Sequence, residues 1–471
     1  MLKKHVWLGL FVVVALIPCL ESADYYVPDD FPSIQDAIDS AGSGDVIIVK
    51  PGIYVENIDF KGKAITVMSQ KGPEYTAIKS RGICPDHSPV VTLDSGEGRD
   101  SVLSGFTIQD GRAYNGSGIY CGVACSPTII GNIIKNNYTD CCSIPGPGSY
   151  GGGVYCGVSS SPLIMNNVIK LNRACSVWTW GGWTEGHGGG IFIDSNSTAV
   201  LINNLIYHNL TLTEHPDGGG VYISSASPTL TNNTIFNNNL GEVTPPLDGD
   251  IETGRNYAGA EIYVTGSSLP VVTNNIIWNS RGRDTISGPM DVNFCNVSES
   301  CPGVGNISID PGFIQDYNAD LHITCDSPCR DAGYNEAPGL EEIDLDFEGD
   351  PRIANGQIDI GADEFGSHLY YVRGSYHTIR VTGLPGMSPV YVIQGSGVRN
   401  PPLSTPYGDL YIRDPALHIY DFGAITSKGT LVVPFRKPSF FQSGAEYYYQ
   451  ALIGPRDHQD SVLTNLLLLI P

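Results

Sequence analysis

The chain has 471 residues, and 26 Lys+Arg stand against 49 Asp+Glu for a formal charge of -23 at pH 7. Nucleic acid and other polyanions would meet net repulsion, so neutral glycans or cationic surfaces are the easier partners. With 16% charged and 41% hydrophobic residues the chain is folded rather than disordered, and its length predicts two or three domains.

The first residues, MLKKHVWLGLFVVVALIPCLESA, place two lysines before an apolar run from Val6 to Leu20 and then small and polar residues. This is the layout of a secretory signal. Residues 1–23 are therefore expected to be removed, leaving a mature chain that begins near Asp24. The run is short for a membrane span and no second stretch of roughly 20 apolar residues follows it. A soluble protein, secreted or held at the cell surface, is expected. Of the 12 cysteines, Cys19 leaves with the signal, and the remainder are expected to include disulfides.

Internal similarity is the strongest signal. GSGIYCGVACSPTIIGNIIKNN from Gly116 is repeated as GGGVYCGVSSSPLIMNNVIKLN from Gly151, GGGIFIDSNSTAVLINNLIYHN from Gly188, GGGVYISSASPTLTNNTIFNNN from Gly218 and GAEIYVTGSSLPVVTNNIIWNS from Gly259. Each copy holds three short apolar segments punctuated by Gly, Ser-Pro and Asn-Asn, which suits strands joined by tight turns. One copy then makes about one triangular turn of a parallel β-solenoid. Ile134, Ile169, Ile206, Ile235 and Ile277 fall in one column and are expected to stack inside it. Asn132, Asn167, Asn204, Asn233 and Asn275 form a second column and Asn137, Asn172, Asn209 and Asn238 a third, where stacked amides can satisfy one another and the backbone.

These repeats resemble the right-handed parallel β-helix proteins of the pectin-lyase-like class. VPDDFPSIQDAIDSAGSGDVIIVKPGIYVENIDFKGKAITV, from Val27, is similar to the usual opening of such helices, with an amphipathic segment around Ile34, Ala37 and Ile38 capping the solenoid. SPCRDAGYN, with DLDFEGDPRIANGQIDIGADEF from Asp344, resembles the closing segment of many bacterial secreted β-helix proteins. The resemblance implies an all-β solenoid over residues 24–365. It does not select an activity, because this fold hosts lyases, hydrolases, esterases, binding proteins and adhesins. Residues 366–471 change to alternating runs such as SYHTIRVTGL and PVYVIQGSG between Gly and Pro turns, which predicts a small antiparallel β-sandwich acting as an accessory module.

Insertions recur at one phase, from about Tyr138 to Tyr150, Arg173 to His187, Leu210 to Asp217 and Leu240 to Ala258, so they are expected along one edge of the solenoid. The strand beside that edge carries Tyr120, Tyr155, Phe192, Tyr222 and Tyr263 between aliphatic or small neighbours. Alternation turns these rings outward if the neighbours point in. One insertion, SVWTWGGWTEGHGGG, adds Trp178, Trp180 and Trp183. Flat rings with polar edges suit sugar C–H faces and hydroxyls. The expected function is polysaccharide binding through Tyr120, Tyr155, Phe192, Tyr222, Trp178, Trp180 and Trp183. The competing expectations are a polysaccharide-degrading enzyme of the pectin-lyase-like class, a surface scaffold or adhesin, and rings folded into a satellite core.

Catalytic motifs occur only as fragments. Gly52, Tyr54 and Glu56 match a GxYxE fragment of pectinesterases, and Gly186-His187-Gly188 a fragment of polygalacturonase-type hydrolases, without their acidic partners. Glu185, His187, His208, His215, Asp217 and Asp248 are the acid/base candidates in the insertions. No cofactor is expected. The one metal candidate is DLDFEGD, where Asp344, Asp346, Glu348 and Asp350 have the spacing of a calcium loop; a solvated acidic turn at the helix terminus is the bland account. Cys121 with Cys156, Cys141 or Cys142 with Cys175, Cys295 with Cys301 and Cys325 with Cys329 are the pairings considered for disulfides.

Overall fold

A computed structural model describes residues 22–366 except 83–87, 140–147, 176–177, 180–181, 184–185, 214–216, 244–250, 253–258, 281–283, 316–319, 348–350 and 354–355; beyond 366 it describes strand backbones between 369 and 469. The leader lies outside the described residues. The architecture is a right-handed parallel β-helix. A first sheet of ten strands runs from Asp24–Val27 to Asp291–Asn293, a second of nine from Gly52–Val55 to Asn296–Val297, and a third of eight from Ile58–Asp59 to Ile286–Ser287. One coil shows the path. Val154–Cys156 lies in the third sheet, Leu163–Met165 in the first and Val168–Lys170 in the second, as three strands per copy predict. Arg173–Cys175 then joins a smaller fourth sheet at the start of the insertions.

The interior is aliphatic. Ile134, Ile169, Ile206, Ile235 and Ile277 are fully buried on the second sheet, faced by Ile129, Ile164, Leu201, Leu230 and Val272 from the first. Registers such as Ile134↔Ile169 and Ile169↔Ile206 put like on like. Each such side chain contributes about 1.5–3 kcal/mol on leaving water.

The corners hold the polar solution. The residue before each column asparagine takes a left-handed conformation: Asn166, Asn203, Asn232 and Asn274 at the first corner, and Asn136, Leu171, His208 and Asn237 at the second, with φ between 48° and 57°. Asparagine tolerates this conformation better than other side chains, which explains the Asn-Asn pairs. The second asparagine of each pair points inward. Asn167 donates its backbone N–H and its Nδ2 to the Oδ1 of Asn204, at 3.0 and 3.1 Å, and gives the other Nδ2 hydrogen to the carbonyls of Ile129 and Met165. Asn204 does the same to Asn233, and Asn233 to Asn275. At the second corner Asn137, Asn172, Asn209 and Asn238 repeat the arrangement. The Gly triplets 151–153, 188–190 and 218–220, each just before a third-sheet strand, pack under this column; a Cβ on Gly153 would stand 2.6 Å from the carbonyl of Gly190.

At the N-terminus, helix Ile34–Ser40 buries Ile34, Ala37 and Ile38 over the first coil. Glu56 accepts the N–H groups of Ile34 and Gln35, both at 3.1 Å. The glutamate of the GxYxE fragment therefore caps this helix.

The closing segment departs from the sequence expectation of a turn at the solenoid terminus. It folds back along the corner between the first and second sheets. Asn203 Nδ2 donates to the carbonyl of Leu345, Asn232 Nδ2 to those of Asp359 and Gly361, and Asn274 Nδ2 to that of Tyr334. Ile343 covers Leu163, Met165 and Ile202 on one face, while Leu321 and Ala362 pack with Leu205, Tyr207 and Phe236 on the other. Inside the segment Arg352, 3% exposed, donates to the carbonyls of Ala362, Asp359 and Gly361. Buried Asp346, Asp359, Asp363 and Glu364 stand around it and accept backbone N–H groups. Beyond 366 the strands pair antiparallel, for example Leu369–Arg373 with His377–Thr382 and Val390–Gly395 with Tyr447–Ile453.

Three outcomes test this account by chemical denaturation. Asn209→Ala leaves the N–H and Nδ2 of Asn172 without their acceptor and should cost roughly 2–4 kcal/mol. Leu171→Asn, at an exposed left-handed position, should instead add about 0.5–1 kcal/mol. Burial pushes the Asp359 carboxyl up to about 6, above its unfolded value of about 3.9. A raised carboxyl adds stability below its unfolded value and loses it as pH rises through 6. Wild type should gain on Asp359→Asn as pH falls from about 6 to about 4.

Candidate functional site

The outward residues of the third sheet form one continuous ring stack. Tyr120, Tyr155, Phe192, Tyr222 and Tyr263 succeed one another at centroid distances of 5.2, 5.6, 5.2 and 5.3 Å, the first three steps within 7° of parallel. Their flanking neighbours, such as Val154 and Cys156 or Ile191 and Ile193, are buried inside, so strand alternation turns the rings out. The stack is not bare. Tyr155, Phe192 and Tyr222 are 8%, 5% and 9% exposed, because each ring covers its neighbour and two insertions fold over the middle. Ser149–Tyr150 pairs in parallel with Gly186–His187, which sets the Tyr150 ring 4.7 Å from Phe192 and the His187 ring 4.4 Å from Tyr222. Tyr120 and Tyr263, at the two ends, are half-buried and remain accessible.

The polar rim is acidic. Tyr155 donates its hydroxyl to Asp194 Oδ2 at 2.5 Å, and Asp194 Oδ1 accepts the Ser195 N–H at 2.6 Å. Burial first, and then the Asp194 carboxylate, hold the Tyr155 hydroxyl well above the usual phenol range. Burial and Asp94 raise Tyr120, and burial and Asp217 raise Tyr263. Asp94 and Asp194 occupy one column, immediately after the third-sheet strands VTL and IFI, a signal legible in the repeats but not used in the sequence reading.

The other candidates divide. Trp178 and Trp183 face each other across a short antiparallel pairing of Trp178–Thr179 with Gly182–Trp183, with backbones alone described. Trp180, Glu185, His215 and Asp248 lie outside the described residues. His187 joins the ring stack, whereas His208 sits at the second corner, edge-on to Tyr207 at 5.3 Å. Gly188 of the Gly-His-Gly fragment is the left-handed glycine of its repeat, like Gly151, Gly218 and Gly259. Asp346 is buried and accepts the Glu364 N–H, while Asp344 is exposed; Glu348 and Asp350 lie outside the described residues.

The expected disulfides are not formed among the described thiols Cys121, Cys156, Cys295, Cys301 and Cys329. Cys121 and Cys156 are register partners. In-register parallel strands keep parallel side-chain vectors about 4.8 Å apart, whereas a disulfide draws its Cβ atoms to about 3.8 Å. Cys295 instead accepts the N–H of Asn275 at 3.3 Å, and Cys329 accepts Asn296 Nδ2 at 3.1 Å. Cys141 and Cys142 lie outside the described residues.

Burial pushes Cys156, Cys295 and Cys329 up to about 12. Iodoacetamide at neutral pH should leave all three unmodified in the native protein and alkylate them in denaturant without reductant. Mass spectrometry reads both states, and protection that persists in denaturant until reductant is added would mean disulfides.

Residues 184–299 match the family model described as right handed beta helix region. No curated protein sequence matches the chain. Among solved structures, the pectate lyase Pel9A is similar at 14% identity over 73% of this chain and 96% of its own, with a TM-score of 0.33. A pectin methylesterase in complex with a hexasaccharide is similar at 12% identity over 59% of this chain and 78% of its own, with a TM-score of 0.22. The family match over residues 184–299 and the stacked parallel sheets agree on one fold, a right-handed parallel β-helix.

Proposed function

We propose that this is a secreted or cell-surface protein that binds polysaccharide along the outward face of the third sheet, through the ring stack and the tryptophan insertion beside it. The observation that carries this is the five-ring stack itself, open at Tyr120 and Tyr263 and rimmed by hydroxyls and carboxylates. Aromatic surface beside fixed acceptors is the combination a sugar needs, since its C–H faces are apolar and its hydroxyls must keep partners. The roof formed by Tyr150 and His187 confines sugar contact to the ends of the stack and to Trp178, Trp180 and Trp183, with Tyr155, Phe192 and Tyr222 holding those contacts in line.

The mature protein titrated with soluble polysaccharides should give a saturable change in tryptophan fluorescence and no new reducing ends or unsaturated products. Trp178→Ala or Trp183→Ala should weaken binding about tenfold, the loss of one stacking contact. Product formation would instead make the protein a polysaccharide-degrading enzyme. Silence in both channels across the panel would leave a rigid surface scaffold.

A further inference from the structure

The ring stack has a charge that bears on which polymer it accepts. In four successive coils the residue following the third-sheet strand reads Asp94, Gly122, Gly157 and Asp194, and Asp194 lies at the hydroxyl end of the Tyr155 ring. A Cβ on Gly122 would stand 2.6 Å from that of Asp94, and one on Gly157 2.7 Å from the carbonyl carbon of Gly122, so only glycine fits at these two positions and neither puts a side chain between the carboxylates. Three rungs separate Asp94 from Asp194, roughly 14 Å at 4.8 Å per rung. Asp194 is tied to Tyr155 and Ser195, whereas Asp94 is exposed. A third carboxylate, Asp217, stands near Tyr263 at the opposite end of the stack. Of the described basic residues of these coils, Lys135 and Lys170 lie on the second sheet and Arg112 and Arg173 on the fourth, Arg99 follows the Asp94 turn and stands near Glu342, and His187 stacks on Tyr222 in the roof.

From this arrangement we infer that the polymer bound at this face carries protonated amino groups, as partly deacetylated amino-sugar chains do, and that polyuronates are rejected. The inference rests on the polysaccharide-binding function proposed above. An ammonium beside Asp94 meets an unneutralised carboxylate at the edge of an apolar ring, while a uronate carboxylate there meets repulsion from the same group. Both effects act through water and fade as salt shortens the screening length. A neutral chain is indifferent to them.

The test uses the full mature protein and three soluble polymers: partly deacetylated chitin, a neutral hydroxyethyl cellulose and polygalacturonate. At low salt the amino polymer should bind about tenfold tighter than the neutral one, a preference that shrinks as salt is raised, and polygalacturonate should not bind. Asp94→Asn, which removes the charge but keeps an acceptor oxygen, should weaken the amino polymer about threefold and the neutral polymer less. Asp291→Asn, the same change of charge on the first sheet, should do neither. Equal or tighter binding of the neutral polymer at low salt would overturn the inference and leave the polysaccharide-binding function standing. So would equal effects of the two substitutions, which would trace the preference to overall charge. Failure of all three polymers to bind, with the tryptophan variants indistinguishable from wild type, would overturn the binding function itself.

Discussion

The structure depends on how the backbone is satisfied at two corners of each coil. Along the flat faces every strand finds its partners in the coils above and below, but where the chain turns inward its N–H and C=O groups are buried away from water. A column asparagine meets the whole requirement: two donors on Nδ2, one double acceptor on Oδ1, on a stem short enough to stay in the corner. Because each amide bonds to the one in the next coil, the corners also impose one spacing on everything else. The aliphatic stack inside and the ring stack outside both keep this rhythm, and the 5.2–5.6 Å ring separations follow it.

The outer faces are then finished in two ways. The corner between the first and second sheets is covered by the chain itself, which returns from the last coil to hydrogen-bond with Asn203, Asn232 and Asn274. These asparagines serve twice, their backbones making the bend and their amides holding the returning segment. The third sheet is covered in a different way, by insertions that set Tyr150 and His187 over the middle of its ring stack. It is flanked by insertions of differing length, and the residues that vary most from coil to coil gather there. One side of the solenoid is committed to stability and the other is open to variation, which is the division expected of a scaffold that carries a binding face.

Much of the repeat was legible because strand periodicity, Asn-Asn pairs and Gly triplets each have a local physical cause that recurs. The interior isoleucines, both amide columns and the outward rings follow from the alignment of copies alone. What escaped has partners far away or occurs once. The bond from Asn203 to Leu345 spans 142 residues and no period announces it. Tyr150 and His187 roof the rings from unrelated insertions, so nothing in the repeat foretells that Tyr155, Phe192 and Tyr222 are nearly covered. Glu56 looked like part of an enzyme fragment, and its helix-capping role needs the geometry of residues 22 positions upstream. Cysteines placed one rung apart suggested a disulfide, but the spacing that makes a good sheet makes a poor cystine.

The amide columns also have a direction. Every asparagine donates forward and accepts from behind, so a column cannot end on another asparagine without stranding its donors. It ends on groups other than asparagine: Cys295 takes the N–H of Asn275 and turns its own thiol to the carbonyls of Val272 and Asn293, and the carboxylate of Glu261 takes both donors of Asn238 together with Asn279 Nδ2. Glu261 stands where earlier coils have the third glycine of the triplet, so this stop signal is written into the last repeat itself. Duplication of an internal coil would lengthen the solenoid without disturbing this grammar, whereas the coil that follows Glu261, residues 286–297, receives the first column at Cys295 and extends neither. The length of the protein can therefore drift by whole turns in evolution, but only from within.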